Sequence, residues 1–255
     1  MKPIALASFR LLEKELSSFA VKLRFENDHL YFVHGDQCIC LHLIAEEPLL
    51  QTKQGIDLLP MDYLVKEPIK LAALVRSRLS LNTTVFARHC ELQKIEKPIA
   101  SHFLNTYHLM HATQSAFNFG LVYKQELLCL ASFSKGRKMR RLPDALRSFE
   151  LIRFCCKRGY TVTGGLSRLV KNFILEKNAG DVMTYVDKQL FEGHSFIRSG
   201  FKKVGETDPA YFLVDKMTFE KTLLKNPDEL YDSSVFYRTR NLGNIKLVYT
   251  PDGRI

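Results

Sequence analysis

Phe149-Glu150-Leu151-Ile152-Arg153-Phe154-Cys155-Cys156 is followed, after two basic residues, by Gly159-Tyr160-Thr161-Val162-Thr163-Gly164-Gly165 and then by Leu166-Ser167-Arg168-Leu169-Val170. The first run has the texture of a strand. The last continues so that Leu166, Leu169, Val170, Phe173 and Ile174 share one face of a helix over 166–177. A glycine-rich turn therefore opens a helix behind a strand. Such a helix start presents free backbone N–H groups and the positive end of the helix dipole to an anion. The spacing is not G-x-G-x-x-G, and no Gly-Lys-Ser/Thr follows, so Rossmann dinucleotide binding and Walker-type phosphoryl transfer are disfavoured. Thr163, Gly164, Gly165, Leu166 and Ser167, with Arg168 nearby, are the candidate anion-binding residues. A tight turn whose glycines serve close packing accounts for the same residues equally well.

Working outward, Asp181–Asp187 reads as a further strand. A short helix follows over 193–199, stopped at Gly200, and then closing strands near 201–205 and 210–215. Upstream lie a helix over 97–107 and a hairpin of 120–123 with 126–133 around Lys124-Gln125. Residues 85–95 alternate as one strand. This order predicts an α+β fold on one mixed central sheet flanked by helices. Residues 1–83 form a smaller α/β unit. It has a helix over 5–20, strands 30–34 and 38–44 about the turn Gly35-Asp36, and a short strand 56–59 closed by Pro60. A basic helix over 67–80 ends it, with Lys70, Arg76 and Arg78 on a solvated face. The expected organisation is thus two domains, 1–83 and 84–255.

The chain has 255 residues, 37 Lys and Arg against 27 Asp and Glu, and a net charge of +10. At 46% hydrophobic residues it supports a sizeable core, which excludes a disordered or collagen-like chain. The excess charge points to an anionic partner: nucleic acid, a CoA-type nucleotide or a phospholipid surface. No apolar run is long enough to span a membrane. The first ten residues do not read as a signal peptide, so the expected location is the cytoplasm. The six cysteines, Cys38, Cys40, Cys90, Cys129, Cys155 and Cys156, are expected to be reduced, buried small hydrophobes.

Several segments, taken in order, resemble a known group. They include Val75–Leu79, Phe86-Ala87-Arg88-His89-Cys90, Phe103-Leu104 with His108, Phe133–Arg137, Phe149–Cys155, Val162–Leu169, Thr184-Tyr185-Val186-Asp187, Ser199-Gly200-Phe201 and Asn241-Leu242-Gly243-Asn244. The likeness covers most of 71–250 and is to phage and bacterial Hef-like (Vsr-like) homing-endonuclease-associated proteins. These join a restriction-endonuclease-like N-terminal domain to a GNAT-like, Mom-type C-terminal domain. The resemblance implies a GNAT-like acyltransferase fold. It implies acetyl-CoA or another acyl-CoA as donor, its pyrophosphate on the glycine loop and its pantetheine arm between splayed strands. An amine, with a nucleobase as one case, would be the acceptor, and DNA a partner. Asp36, Glu46, Glu47, Asp57 and Asp62 form no convincing metal-binding triad, so the N-terminal domain reads as a degenerate nuclease or docking module.

Within that reading Glu150 is the leading general base, sharing a strand face with Ile152 and Phe154; an ion pair to a neighbouring cation is the alternative. Tyr185 would protonate the leaving group, and Asp187, two residues on, would orient it or cap a turn. His108 is a further base candidate, ahead of His111 and His194. No three residues have metal-ligand spacing, so no metal site is expected. Lys135, Arg137, Lys138, Arg140 and Arg141 crowd into seven loop residues and, with Arg153, are the candidate nucleic-acid contacts. Two other functions stay open. One is a non-catalytic DNA-binding or nuclease-accessory protein; the weaker is a metal-dependent endonuclease.

Overall fold

The computed structural model describes residues 3–44, 57–226 and 228–251. In chain order the helices are α1 (Pro3–Ser17), α2 (Met61–Lys66), α3 (Pro68–Arg78), α4 (Lys97–Tyr107), α5 (Gly165–Lys177) and α6 (His194–Arg198). The strands begin with β1 (Lys22–Glu26), β2 (His29–His34), β3 (Gln37–Ile44), β4 (Asp57–Pro60), β5 (Thr83–Phe86) and β6 (Glu91–Lys94). They continue with β7 (Phe117–Tyr123), β8 (Glu126–Phe133), β9 (Ser148–Cys156), β10 (Tyr160–Thr163) and β11 (Asp181–Asp187). The last are β12 (Lys202–Glu206), β13 (Tyr211–Asp215), β14 (Lys221–Leu224), β15 (Phe236–Arg240) and β16 (Asn244–Tyr249).

The chain divides into two compact units. One comprises Met1–Leu81, Asp187–Glu192 and Thr207–Asn244; the other comprises Asn82–Val186, Gly193–Glu206 and Ile245–Ile255. The stretch 84–255, expected as one domain, therefore lends two segments to the first unit. Glu46, Glu47 and Ile56 lie outside the described residues.

In the first unit β1, β2, β3 and β4 form a sheet in that order, with β3 and β4 parallel. Asn27-Asp28 and Gly35-Asp36 are the two-residue turns, and Asn27, Asp28 and Gly35 all take positive φ, as the twist of a tight hairpin requires. Alternation buries Leu30, Phe32, Leu41 and Leu43 on one face. Helix α1 packs on α2, α3 and β1. The α3 cations are not a solvated face. Lys70 pairs with Glu67 at 3.0 Å, Arg76 lies 3.8 Å over the Phe19 ring, and Arg78 pairs with Asp57 and donates to the Leu190 carbonyl. A second sheet, β14-β13-β15, buries Val214, Phe219 and Tyr237 against Met61 and Val65.

The second unit is built on a mixed sheet of order β12-β16-β11-β9-β8-β7-β6. Helix α5 supplies one face of the core. Phe173 is its centre, stacked on Phe133 at 3.8 Å and meeting Phe117, Phe119 and Phe149 edge-on or tilted. Helix α4 covers the opposite face through Ala100, Phe103 and Leu104 on Leu130. Gly120 leaves room for neighbouring side chains, since a Cβ there would fall on Leu127 and Ile95.

Three expectations change here. Residues 85–95 are not one strand: β5 and β6 are separated by a 3-10 turn at Ala87–His89, because β5 leaves to pair in parallel with β10. The glycine stretch likewise contains that short strand β10 instead of being continuous loop. The cysteines differ as well. Antiparallel register sets Cys129 opposite Cys156, and the two form a disulfide; Cys90 is buried, Cys40 and Cys155 are half-buried, and Cys38 is exposed.

Candidate active site

Strands β9 and β11 are parallel, yet only Asp181↔Ser148, Val182↔Phe149 and Met183↔Glu150 pair between them. Beyond the Met183–Glu150 rung the strands part. The Thr184 hydroxyl spans the start of the fork, donating to the Leu151 carbonyl at 2.9 Å. A bulge lies at the same level: the register with β8 slips between Ser132 and Phe133, so that Phe133 faces Leu151 while Ser132 faces Arg153. Ile152 is the extra residue. A bulge leaves a residue out of the ladder and bends the strand away.

The bulge also corrects an expectation. Strict alternation would put Glu150, Ile152 and Phe154 on one face. Instead Phe154 joins Phe149 and Leu151 against the α5 core, and Arg153 and Cys155 turn to the α4 side with Glu150. Glu150 is half-buried, and its Oε2 accepts from Arg137 Nη2 at 3.1 Å. Glu150 thus makes an ion pair, with a loop arginine and not with a cation on a neighbouring strand. The Glu150 main chain holds the basic loop as well, its carbonyl accepting from the Ser134 N–H and its own N–H donating to Ser134 Oγ, both at 2.9 Å.

By register Met183 shares the Glu150 side of the sheet, and Tyr185 follows it there, 39% exposed. Asp187 completes that strand face but belongs to the first unit. Its Oδ1 accepts from the Gln189 N–H at 2.8 Å, which is the turn-capping role. Burial raises its pKa, opposed by that N–H and by the Lys221 charge. His108 ends α4, where its Nδ1 accepts from the Met110 N–H at 3.1 Å. His111 accepts at its carbonyl from Arg153 Nε at 3.1 Å. His194 opens α6.

The chain leaves β9, makes β10, and enters α5 at Gly164-Gly165, so the helix start lies at the carboxyl end of the forked strands. Gly164 is the N-cap in the left-handed region, φ 78°, with no side-chain cap. The Gly165, Leu166 and Ser167 N–H groups are the leading amides of the helix, without intrahelical acceptors. A Cβ on Gly164 would meet nothing nearer than Ala87 Cβ at 3.7 Å, whereas one on Gly165 would press on Val162 at 3.2 Å. Thr163 and Gly164 are exposed while Gly165 is buried. The first glycine thus keeps the helix start open, and the second serves close packing. Arg168 turns away from this opening, donating to the Ala87 and Cys90 carbonyls.

That arginine ties α5 to residues whose position local sequence does not reveal. Parallel pairing sets Phe86 beside Thr163. Phe86 is 45% exposed, Arg88 lies 4.9 Å over its ring, and Arg88 Nε points to His89 Nε2 at 3.3 Å. An aromatic, a cation and an imidazole therefore flank the helix start.

The basic loop is less available than its composition suggests. Arg137 pairs with Glu150, Lys138 with Asp144 at 3.8 Å, and Arg141 with the fully buried Asp181. Arg153 is spent on the His111 and Ile152 carbonyls. Lys135 and Arg140 are exposed, with no ion pair among the described residues. No group of three His, Cys, Asp or Glu side chains could hold a metal ion as they stand, and no helix is long and apolar enough to cross a membrane, both among the described residues.

No protein-family model matches the chain, and no curated protein does. Among solved structures, the chain is similar to an acetyltransferase from Bacillus subtilis in complex with CoA, at 10% identity and a TM-score of 0.36, over 64% of this chain and 99% of that one. It is similar to the ribosomal-protein-S18-alanine N-acetyltransferase from Escherichia coli, at 11% and 0.39, over 63% and 93%. A spermidine N-acetyltransferase from Vibrio cholerae gives 10% and 0.40, over 64% and 94%. At such scores the meaning of the site rests on its own geometry: a forked, bulged parallel pair, an uncapped helix start at its open end, and a carboxylate and a phenol on one side of the sheet.

Proposed function

We propose that the second unit is a GNAT-like N-acyltransferase that takes acetyl-CoA or another acyl-CoA as donor and an amine as acceptor. The observation that carries this reading is the fork beyond Glu150 and Met183, opened by the Ile152 bulge and facing the start of α5. An extended arm lying between two parting strands finds main-chain groups that no ladder consumes. The Gly165, Leu166 and Ser167 amides suit a pyrophosphate, because the N-cap carries no competing side chain. Bound there, the donor would supply an acyl group already activated as a thioester.

The chain's own residues would do the rest. Glu150, oriented by Arg137, would accept a proton from the acceptor amine. Tyr185 holds a phenolic proton on the same side of the sheet, available to a departing thiolate. His108 would serve as a second base at the end of α4. Asp187 is better understood as holding its turn. Acceptors on DNA, including a nucleobase amine, are the finer part of this proposal; Lys135 and Arg140 would be their phosphate contacts.

Calorimetric titration with acetyl-CoA and with CoA tests the donor site, comparing the wild type with Ser167→Glu. A glutamate at the third helical position favours the helix dipole, so the fold is kept while an anionic ligand is repelled. The expected result is binding by the wild type, weakened about tenfold or more in the variant. A folded wild type that binds neither ligand would sink the proposal.

A further inference from the structure

A strip of outward side chains stands against the start of α5. Along it Val85, Ala87 and Cys90 are buried in the core, while Phe86, Arg88 and His89 are exposed. Phe86 pairs with Thr163, the residue before the N-cap Gly164. Paired residues of neighbouring strands lie on one face, with the strands about 4.8 Å apart, and Thr163 is exposed as well. Three contacts fix the strip in place. Arg168, in the first turn of α5, donates to the Ala87 and Cys90 carbonyls, on either side of Arg88 and His89. The Cys90 N–H closes the turn on the Ala87 carbonyl at 3.0 Å. Ala87 Cβ lies 3.7 Å from where a Cβ on Gly164 would stand. The strip is therefore carried by the helix start, beside the Gly165, Leu166 and Ser167 amides.

The exposed groups are arranged about one ring. The Arg88 guanidinium lies 4.9 Å from the Phe86 ring centroid, and the His89 ring meets Phe86 edge-on, centroids 6.0 Å apart. Arg88 Nε donates to His89 Nε2 at 3.3 Å. Its terminal amino groups have no carboxylate partner among the described residues. Those groups are the ones with which an arginine grips a phosphate in two parallel hydrogen bonds. An exposed ring offers a face on which any nucleobase can stack. A stacking ring and an unpaired guanidinium, held on one rigid turn, match the two ends of a nucleotide.

We infer that Phe86 and Arg88 hold the nucleotide end of the donor, Phe86 stacking on the adenine and Arg88 binding the phosphate on the ribose. The donor taken is then a free CoA thioester and not a phosphopantetheine thioester borne by a carrier protein. The inference rests on the acyl-CoA reading of the α5 start. Both kinds of donor carry the same thioester and the same pantetheine arm, and both bring phosphate to the helix amides. Only CoA continues past its pyrophosphate into an adenine and a further phosphate. Groups that serve those two parts alone have no use in a site built for a carrier protein, so the strip decides between the two sources of one thioester.

Calorimetric titration of the full chain with CoA, dephospho-CoA and phosphopantetheine tests this. The wild type is expected to bind CoA about tenfold or more tighter than dephospho-CoA, and phosphopantetheine more weakly than either. Arg88→Ala should abolish the first difference by weakening CoA alone, leaving dephospho-CoA within about twofold; a merely structural role would weaken both alike. Phe86→Ala should weaken CoA and dephospho-CoA about tenfold each and leave phosphopantetheine unchanged. Both side chains are exposed, so both variants should fold, which far-UV circular dichroism checks. A wild type that binds CoA no better than dephospho-CoA or phosphopantetheine would overturn the inference and leave the acyl-CoA reading standing. So would a preference for CoA that persists in Arg88→Ala, or CoA affinity unchanged in Phe86→Ala. A folded wild type that binds none of the three would remove the inference together with the reading beneath it.

Discussion

Arg141 closes on Asp181 with two hydrogen bonds to one oxygen, Nε at 3.0 Å and Nη2 at 2.6 Å, and Asp181 is wholly buried. Nη2 also reaches Ser148 Oγ at 3.3 Å, and Ser148 is the residue paired with Asp181 at the first rung of β9 and β11. A cation that composition alone assigns to an anionic partner instead pins the closed end of the fork. Removing one member of a buried pair leaves the other charge uncompensated. Arg141→Ala is expected to lower unfolding stability by about 3 kcal/mol in urea titration. A loss below about 0.5 kcal/mol would show that the pair does not hold the strands.

Lys135 and Arg140 present the contrasting case. Substituting both by alanine should leave stability within about 0.5 kcal/mol. If the loop meets DNA, the same double variant should flatten the salt dependence of duplex binding by about two phosphate contacts' worth of slope. An unchanged slope removes the loop from any nucleic-acid role.

From α5, Phe173 meets four phenylalanine rings of the sheet, Phe117, Phe119, Phe133 and Phe149. Phe173→Ala should therefore cost about 4 kcal/mol, near the top of the range for a core truncation. Phe173→Leu should cost clearly less. Thermal unfolding of the two variants side by side checks the order.

Asp62 is buried at the start of α2, 3.8 Å from Lys221, and burial outweighs that lysine, so its carboxyl pKa is raised. A raised carboxyl pKa means the folded state favours the neutral acid. Its contribution to stability is fully present below the ordinary carboxylate range and is lost as pH rises through the raised value. Asp62→Asn, which keeps the neutral shape, should gain on the wild type as pH climbs from acid to neutral. Urea midpoints across that range measure the gap; one that narrows instead would show that Lys221 dominates.

Glu150→Gln and Tyr185→Phe bear on chemistry. Loss of a general base or acid lowers turnover by about 100-fold or more. The donor affinity should hold in both variants, as neither residue lies at the α5 start. Activity retained in Glu150→Gln would transfer the base role to His108, and His108→Gln would then be the inactive variant.

Much of the secondary structure was visible in the chain. Helix α4, the Lys124-Gln125 hairpin, β9, α5 and β11 follow from apolar period and turn chemistry, which are local signals. What escaped detection depends on non-local pairing. The parallel union of β5 with β10 gives no sign in either segment, and without it residues 85–95 look like one strand. The Ile152 bulge adds a single residue that changes which side chains share a face, and alternation cannot register it. The turn that opens α5 was legible because Gly164 and Gly165 are contiguous. The Glu150, Asp181 and His111 partners of Arg137, Arg141 and Arg153 were not, because they lie 13 or more residues away.

The first unit needs residues as late as Asn244. On a ribosome, the segment that emerges first must therefore wait, incomplete, until nearly all the rest has been made. The second unit can gather most of its large sheet meanwhile, from β6, β7, β8, β9 and β11, but its β16 comes after that point. Assembly from the N-terminus one domain at a time, the usual order for chains with sequential domains, is closed to this protein. Cutting the gene after residue 81 would leave the whole second unit on one fragment and split the first, parting β1–β4 from β13–β15. Complementation by co-expressed fragments, not expression of 1–81 alone, is the form in which the first unit could be recovered.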